Sequence, residues 1–276
     1  MMRELGAFRH WFLWLFLVLV VVSVFTEFPL WAVFIPLAVG IFLPSPIAKA
    51  REPHLVTPPV TGRWVAINSP ANQVPSHGVL SLGQAYAIDI LHPTSPDASL
   101  RLGWKLVQRQ PDEYSCFGAP VLAVAPGRVV KVLDRMPDHR ARNTWPGVIN
   151  MMTFEAFTRG LGGPRFVLGN HVVVDHGEGV FSLYAHLQRE SADVRVGDEV
   201  AADDQLGRVG NTGNTSEPHL HFQLMDRADA SRAAGLPFRW SGLEFEQTPD
   251  ARWAPDGLKV RGEVGLPATG QVFTAP

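Results

Sequence analysis

From Trp11 to Leu43 nearly every residue is apolar, a run of about 33 where roughly 20 suffice for one helix to cross a bilayer. Thr26-Glu27-Phe28-Pro29 interrupts it. Glu27 is costly in hydrocarbon and Pro29 favours the start of a new helix, so the sequence predicts two short spans near 9–25 and 29–44. Residues 1–50 thus read as an α-helical membrane anchor. Ala48-Lys49-Ala50 resembles a small-x-small cleavage site, but the apolar region is about twice too long for a signal sequence. Arg3 and Arg9 precede the first span and Lys49 and Arg51 follow the second, a charge count that places both ends of a hairpin in the cytoplasm.

The chain changes character beyond residue 50. Residues 51–68 carry Pro53, Pro58 and Pro59 and predict a stiff, extended linker. Beyond it, Val121-Leu122-Ala123-Val124 and Arg128 to Leu133 flank a Pro-Gly turn, and Phe166-Val167-Leu168 and His171 to Val174 lead to another hairpin. Several short strands at this spacing predict an all-β sandwich or barrel over residues 69–245. Residues 135–164 break the pattern and read as an insertion shaping one wall of a groove, with a short helix at Met151 to Phe157. After Trp240 the chain is rich in Gly, Pro and acidic residues, and residues 246–276 are expected to form a flexible tail outside the fold.

Composition narrows the function. A net charge of −2 and a pI near 6.5 give no electrostatic case for binding nucleic acid. The single cysteine, Cys116, forms no intrachain disulfide, and no Cys-x-x-Cys pair, phosphate loop or Gly-x-Ser-x-Gly elbow is present.

The chemistry-bearing residues are histidines. In Glu217-Pro218-His219-Leu220-His221-Phe222-Gln223 two imidazoles sit two residues apart in a strand-like run, so they share a face with Cα atoms roughly 6–7 Å apart. Upstream lie Ser76-His77-Gly78, then Tyr86-Ala87-Ile88-Asp89 on an apolar strand, and Tyr184-Ala185-His186-Leu187. An open hydrolytic zinc site takes three protein ligands and leaves one position to water. His77, Asp89 and His221 would complete such a set, leaving His186 and His219 to move protons and stabilise developing charge. Asp175-His176-Gly177-Glu178-Gly179 is hairpin-turn chemistry, which makes His176 a turn residue. His171 reads as surface or groove.

In order along the chain, these segments resemble the lysostaphin-type or LytM-type zinc endopeptidases of metallopeptidase family 23, which cleave peptides of bacterial peptidoglycan. The resemblance covers roughly residues 69–245. It rests on His77 with Asp89; Ala119 to Val130; Gly169-Asn170-His171-Val172-Val173-Val174-Asp175-His176-Gly177; Tyr184 to Leu187; Val196-Gly197-Asp198-Glu199-Val200; and Gly210-Asn211-Thr212-Gly213 before Pro218 to Phe222. It implies a largely antiparallel sheet of the LytM, duplicated-hybrid-motif kind with the metal groove on its face. It implies zinc on His77, Asp89 and His221, catalysis by His186 and His219, and peptidoglycan cross-links or stem peptides as substrate. One departure stands out: the usual spacing puts three residues between the first His and the Asp, whereas residues 78–88 separate them here. A looped-out insertion would return His77 to the metal, and His92 is the nearest substitute. The alternative function is a non-catalytic scaffold that binds cell wall or a partner protein. A wall substrate requires the domain to be extracytoplasmic at the cell membrane, in conflict with the charge count.

Overall fold

The computed structural model describes residues 8–43, 46–48, 51–94, 104, 108–155, 158, 161–254, 256–257 and 265–276. Two helices come first, α1 (Arg9–Phe25) and α2 (Leu30–Phe42). They break where the sequence predicts, with Thr26 extended and Pro29 capping α2, and they pack on each other, Phe16 against Phe34 with ring centroids 5.8 Å apart. At 17 and 13 residues they measure about 26 and 20 Å, short of the roughly 30 Å hydrocarbon core. Among the described residues no helix is long and apolar enough to cross a membrane. The expectation of two transmembrane spans finds no support here: the helices form, but neither is long enough to cross a membrane as described.

Strands then accumulate: β1 (His54–Val56), β2 (Gly62–Ile67), β3 (Ile88–Leu91), β4 (Pro120–Leu122), β5 (Gly127–Leu133), β6 (Asn170–Asp175), β7 (Phe181–Leu187), β8 (Glu199–Val200), β9 (Gln205–Arg208), β10 (Leu220–Met225), β11 (Gly235–Leu236), β12 (Phe238–Trp240), β13 (Glu244–Phe245) and β14 (Val272–Ala275). The main sheet has ten strands in the order β13-β14-β2-β3-β10-β7-β6-β5-β8, with β11 pairing β10. Every pairing in it is antiparallel. The fold is therefore predominantly β, as expected, and the central strands are buried on both faces.

One face carries the main core. Leu220, Phe222 and Leu224 of β10 join Tyr184, Val172, Val174, Ile88 and Ile90, the alternate positions of neighbouring strands. Phe222 is ringed by Tyr184, Phe238 and Trp240, with centroids 5.4, 5.0 and 5.9 Å away. Burying one such aromatic is worth roughly 1.5–3 kcal/mol. The opposite face, through His221, Gln223, Ala185 and Asp89, carries the site.

Three boundaries differ from the sequence reading. The proposed linker is folded: β1 pairs in parallel with β12, β2 joins the main sheet, and Val60, Trp64 and Val65 are buried. Phe166-Val167-Leu168 is not a strand but the end of a short helix, α4 (Pro164–Leu168). It follows α3 (Trp145–Asn150) and a further helical turn at Met151–Glu155 within the insertion. Pro164 explains why α4 is a helix rather than a strand, since it lacks the ladder donor and suits a helix's first turn. The C-terminal segment does not leave the fold: β14 pairs β2 and β13, and Phe273, fully buried, packs 5.8 Å from Trp240.

Candidate metal centre

Ladder register brings the first two residues together. His221 of β10 pairs with Asp89 of β3 on one side and Ala185 of β7 on the other, so their side chains rise from one face. The His221 Nδ1 lies 2.8 Å from Asp89 Oδ1. His77 arrives from the loop, its Nε2 2.9 Å from Asp89 Oδ2, while Asn68 Nδ2 donates to the same oxygen at 2.8 Å. One atom from each of His77, Asp89 and His221 lies within 4.8 Å of the others. The long gap is thus a looped detour that does return His77. His92, the substitute, is elsewhere, edge-on to Trp64 at 4.4 Å.

The detour is pinned at several points. Ser76 N donates to Ala85 O at 3.0 Å and Ser76 Oγ to Gln84 O at 3.2 Å. Leu82 and Gly83 turn with φ of +60° and +74°. A Cβ on Gly83 would stand 2.9 Å from Gln223 Nε2, so glycine's freedom and small size are both used here. Gln223 Nε2 donates to Leu82 O at 2.8 Å while its Oε1 takes the His221 Nε2 proton at 3.0 Å.

His186 reaches the site through an irregularity. Asn170 pairs with Leu187 but the next residue, His171, pairs with Ala185, leaving His186 as the extra residue of a β-bulge with φ +62°. Regular alternation would aim it into the core beside Tyr184. The bulge re-aims it to the metal face, the use such irregularities commonly serve. Gly210 lets the following loop cross this point, because a Cβ there would overlap the backbone of Gln188. The His186 ring then stands 4.8 Å from that of His219 and 5.7 Å from that of His221.

Each histidine has one nitrogen tied back and the other turned inward. His186 Nδ1 donates to Thr212 O at 2.8 Å, and His219 Nδ1 to Glu217 O at 2.8 Å. His77 Nδ1 donates to Ser76 Oγ at 3.1 Å, whose own proton is committed to Gln84 O. Such outer bonds fix tautomer and ring orientation at metal sites. The lone pairs of His77 Nε2 and His221 Nδ1 therefore face a carboxylate oxygen, a set of acceptors that a cation between them reconciles. Two imidazoles and one carboxylate are the donors zinc takes in an open site, so the residues fit that metal.

Protonated histidines act on Asp89 in the sense a cation would: burial alone would raise it, but the charges that His77 and His219 carry when protonated, and the hydrogen bonds that His221 and His77 then donate, hold its carboxyl well below the usual range. His77 is depressed by burial yet raised overall by Asp89. His186 is held well below the usual imidazole value, chiefly by burial and then by its histidine neighbours, which keeps it neutral near pH 7. His171 is fully buried rather than on the surface, with Nδ1 donating to Gly169 O at 2.7 Å and its value pushed down to about 4 by burial. His176 sits at the β6–β7 hairpin, hydrogen-bonded to Pro126 O and Ser182 Oγ. Sequence reasoning overlooked Gln223, although its place two residues after His221 on the same strand face was the available signal.

Comparison with known proteins adds an independent finding. Residues 157–233 match the model of peptidase family M23. The match contains His186, His219 and His221, while His77 and Asp89 lie outside it and are joined to them by the geometry above. The cell division protein DipM of Caulobacter vibrioides is 45% identical over 56 residues, 20% of this chain and 9% of that protein. The peptidoglycan DD-endopeptidase ShyA of Vibrio cholerae is 39% identical over 59 residues, 21% and 13% of the two chains. The glycyl-glycine endopeptidase ALE-1 of Staphylococcus capitis is 37% identical over 70 residues, 25% and 19%. The matched stretches thus cover less than a fifth of these relatives. The catalytic domain of lysostaphin from Staphylococcus simulans overlaps 57% of this chain and 80% of its own at 20% identity, with a TM-score of 0.31, too slight an overlap to argue from.

Proposed function

We propose that the protein is a zinc-dependent endopeptidase that hydrolyses peptide bonds of bacterial peptidoglycan. The observation that carries this reading is the convergence of His77, Asp89 and His221 with His186 and His219 on one sheet face. The endopeptidase names of ShyA and ALE-1 supply the substrate class. His77, Asp89 and His221 would hold the metal. When bound, zinc supplies Lewis acidity toward the scissile carbonyl and lowers the pKa of the attacking water. His186 and His219 present Nε2 toward that point. One of them takes the proton as the water oxygen bonds to the carbonyl carbon, and a proton is returned to the amide nitrogen as the C–N bond breaks, giving a carboxylate and a free amine.

The test is hydrolysis of purified peptidoglycan by the whole chain, before and after a chelator, followed by zinc. Loss and recovery of new amino termini are expected. Wall binding without cleavage, with or without zinc, would instead identify a non-catalytic scaffold.

The proposed location is the outer side of the cytoplasmic membrane. The support is the exposed apolar surface of the two N-terminal helices, where Val24, Phe25, Trp31 and Phe42 are 71, 81, 72 and 83% exposed. Helices too short to cross suit a hairpin seated in one leaflet, to which the charge count for spanning helices does not apply. Protease added to spheroplasts would remove an outside domain and spare an inside one.

A further inference from the structure

We propose that Arg252, in the segment between β13 and β14, is a positioning residue for His219, acting through Glu217; the catalytic part of this inference rests on the peptidase reading. Glu217 is 4% exposed, and its carboxylate is held in a fork by Arg252, Nη1 to Oε2 at 2.9 Å and Nη2 to Oε1. Among the described residues no other side chain donates to it. The backbone carbonyl of this same glutamate accepts from His219 Nδ1 at 2.8 Å and from Thr215 Oγ1 at 2.7 Å. The Thr215 proton is thereby used, so the proton on His219 Nδ1 must be the ring's own. That leaves Nε2 as the lone pair turned inward, 3.6 Å from Asp89 Oδ1. The bond that sets the ring's tautomer therefore ends on a residue whose side chain Arg252 anchors.

The anchor is itself built in. Asp250 accepts from Arg252 N at 2.9 Å and from Thr94 N and Oγ1, beyond β3, and its own N–H donates to Gly270 O at 2.8 Å. The guanidinium lies over the Trp253 ring at 4.3 Å. On the other side of the turn, Cys116 Sγ donates to Pro218 O at 3.1 Å, so residues 217 and 218 are gripped from both directions. A buried carboxylate stripped of its only fork must turn toward water, and a planar bidentate partner is not replaced by a point charge. Turning the Glu217 side chain moves its carbonyl, and the imidazole is then free to rotate or change tautomer.

The experiment uses the whole 276-residue chain in detergent. Arg252→Ala should lower kcat on a purified peptidoglycan peptide on the order of 10–100-fold, the usual scale for outer partners at such sites. KM should stay within about twofold, with zinc content unchanged. Arg252→Lys should recover part of the loss. Histidine 15N–1H correlation spectra should show His219 as a single Nδ1–H tautomer in the parent and as a mixture in Arg252→Ala. Should that variant fold poorly, Glu217→Gln, which keeps the carbonyl and removes the charge, should give the same signature in weaker form. An unchanged kcat, a loss that merely follows the folded fraction, or an unchanged His219 spectrum would overturn the proposal. A parent chain that cleaves nothing would count against the peptidase reading alone, since the spectra decide the positioning role without turnover.

Discussion

Asp89 and His221 reach the candidate metal centre on adjacent paired strands, whereas His77 reaches it on a loop. The first pair inherits its geometry from ladder register, which places opposite side chains on one face at a fixed spacing. The loop has no such guarantee and is instead tied by Ser76 to residues 84 and 85 and by Gln223 to Leu82. The difference teaches that a lengthened connection is compatible with the same site when a residue of the site itself fastens it. Gln223 does this with one amide: its oxygen orients His221 and its nitrogen holds the detour.

The sheet-borne half should dominate metal binding. Asp89→Ala is expected to take zinc from about one per chain to near zero, the full loss expected of a ligand in a three-ligand site, and elemental analysis of the purified chain checks it. Full retention would mean that the loop alone organises the centre. The two inward histidines outside the proposed ligand set should separate activity from metal. His186→Ala and His219→Ala should each keep zinc and lose activity by a factor of order 10²–10⁴, while His221→Ala should lose both. A zinc-free His219→Ala beside a zinc-loaded His221→Ala would reverse the roles of the pair.

Gln223→Leu sharpens the comparison where the halves meet. It should weaken zinc affinity on the order of 10–100-fold, measured by competition with a chromophoric chelator, and expose residues 78–88 to limited proteolysis. Weakened affinity with unchanged proteolysis would show that the detour holds itself.

The smallest effect concerns His171, which stands in the ladder row of Asp89, His221 and Ala185 but takes no part in the centre. Its folded value of about 4 lies below the roughly 6.5 of an unfolded histidine. The unfolded chain therefore binds more protons between these values, and stability, complete above about pH 6.5, falls as pH drops toward 4, by roughly 3 kcal/mol at most. Urea unfolding of the metal-free chain at pH 7 and pH 5 should show this slope, flattened in His171→Asn. An equal slope in both would assign the loss to other groups.

Much of the architecture was legible beforehand because motif order and strand period are written in the sequence. The shared face of Asp89 and His221 follows from alternation once their strands pair. His186 was recognised by its motif but not by geometry, since alternation puts it in the core and a bulge is a property of two strands together. Glu217 and Arg252 meet across the fold, so no local pattern announced them. β14 is four residues long and comes after a segment rich in turn formers, too little periodicity to outweigh the composition around it. The N-terminal helices were legible as helices, and apolar composition by itself did not fix their length.

The pairing of Ala275 with Gly62 has a consequence in time. These partners are separated by 213 residues (275 minus 62), and loop closure over such a distance makes their ladder among the costliest contacts to form. β2 is also the strand beside β3, which bears Asp89. During synthesis the edge of β2 stays open until β14 has been made, and the Arg252 fork cannot close before its own residue exists. A domain assembled in this order acquires its finished centre only after Arg252 and β14 have been made, when the earlier strands are already in place around it.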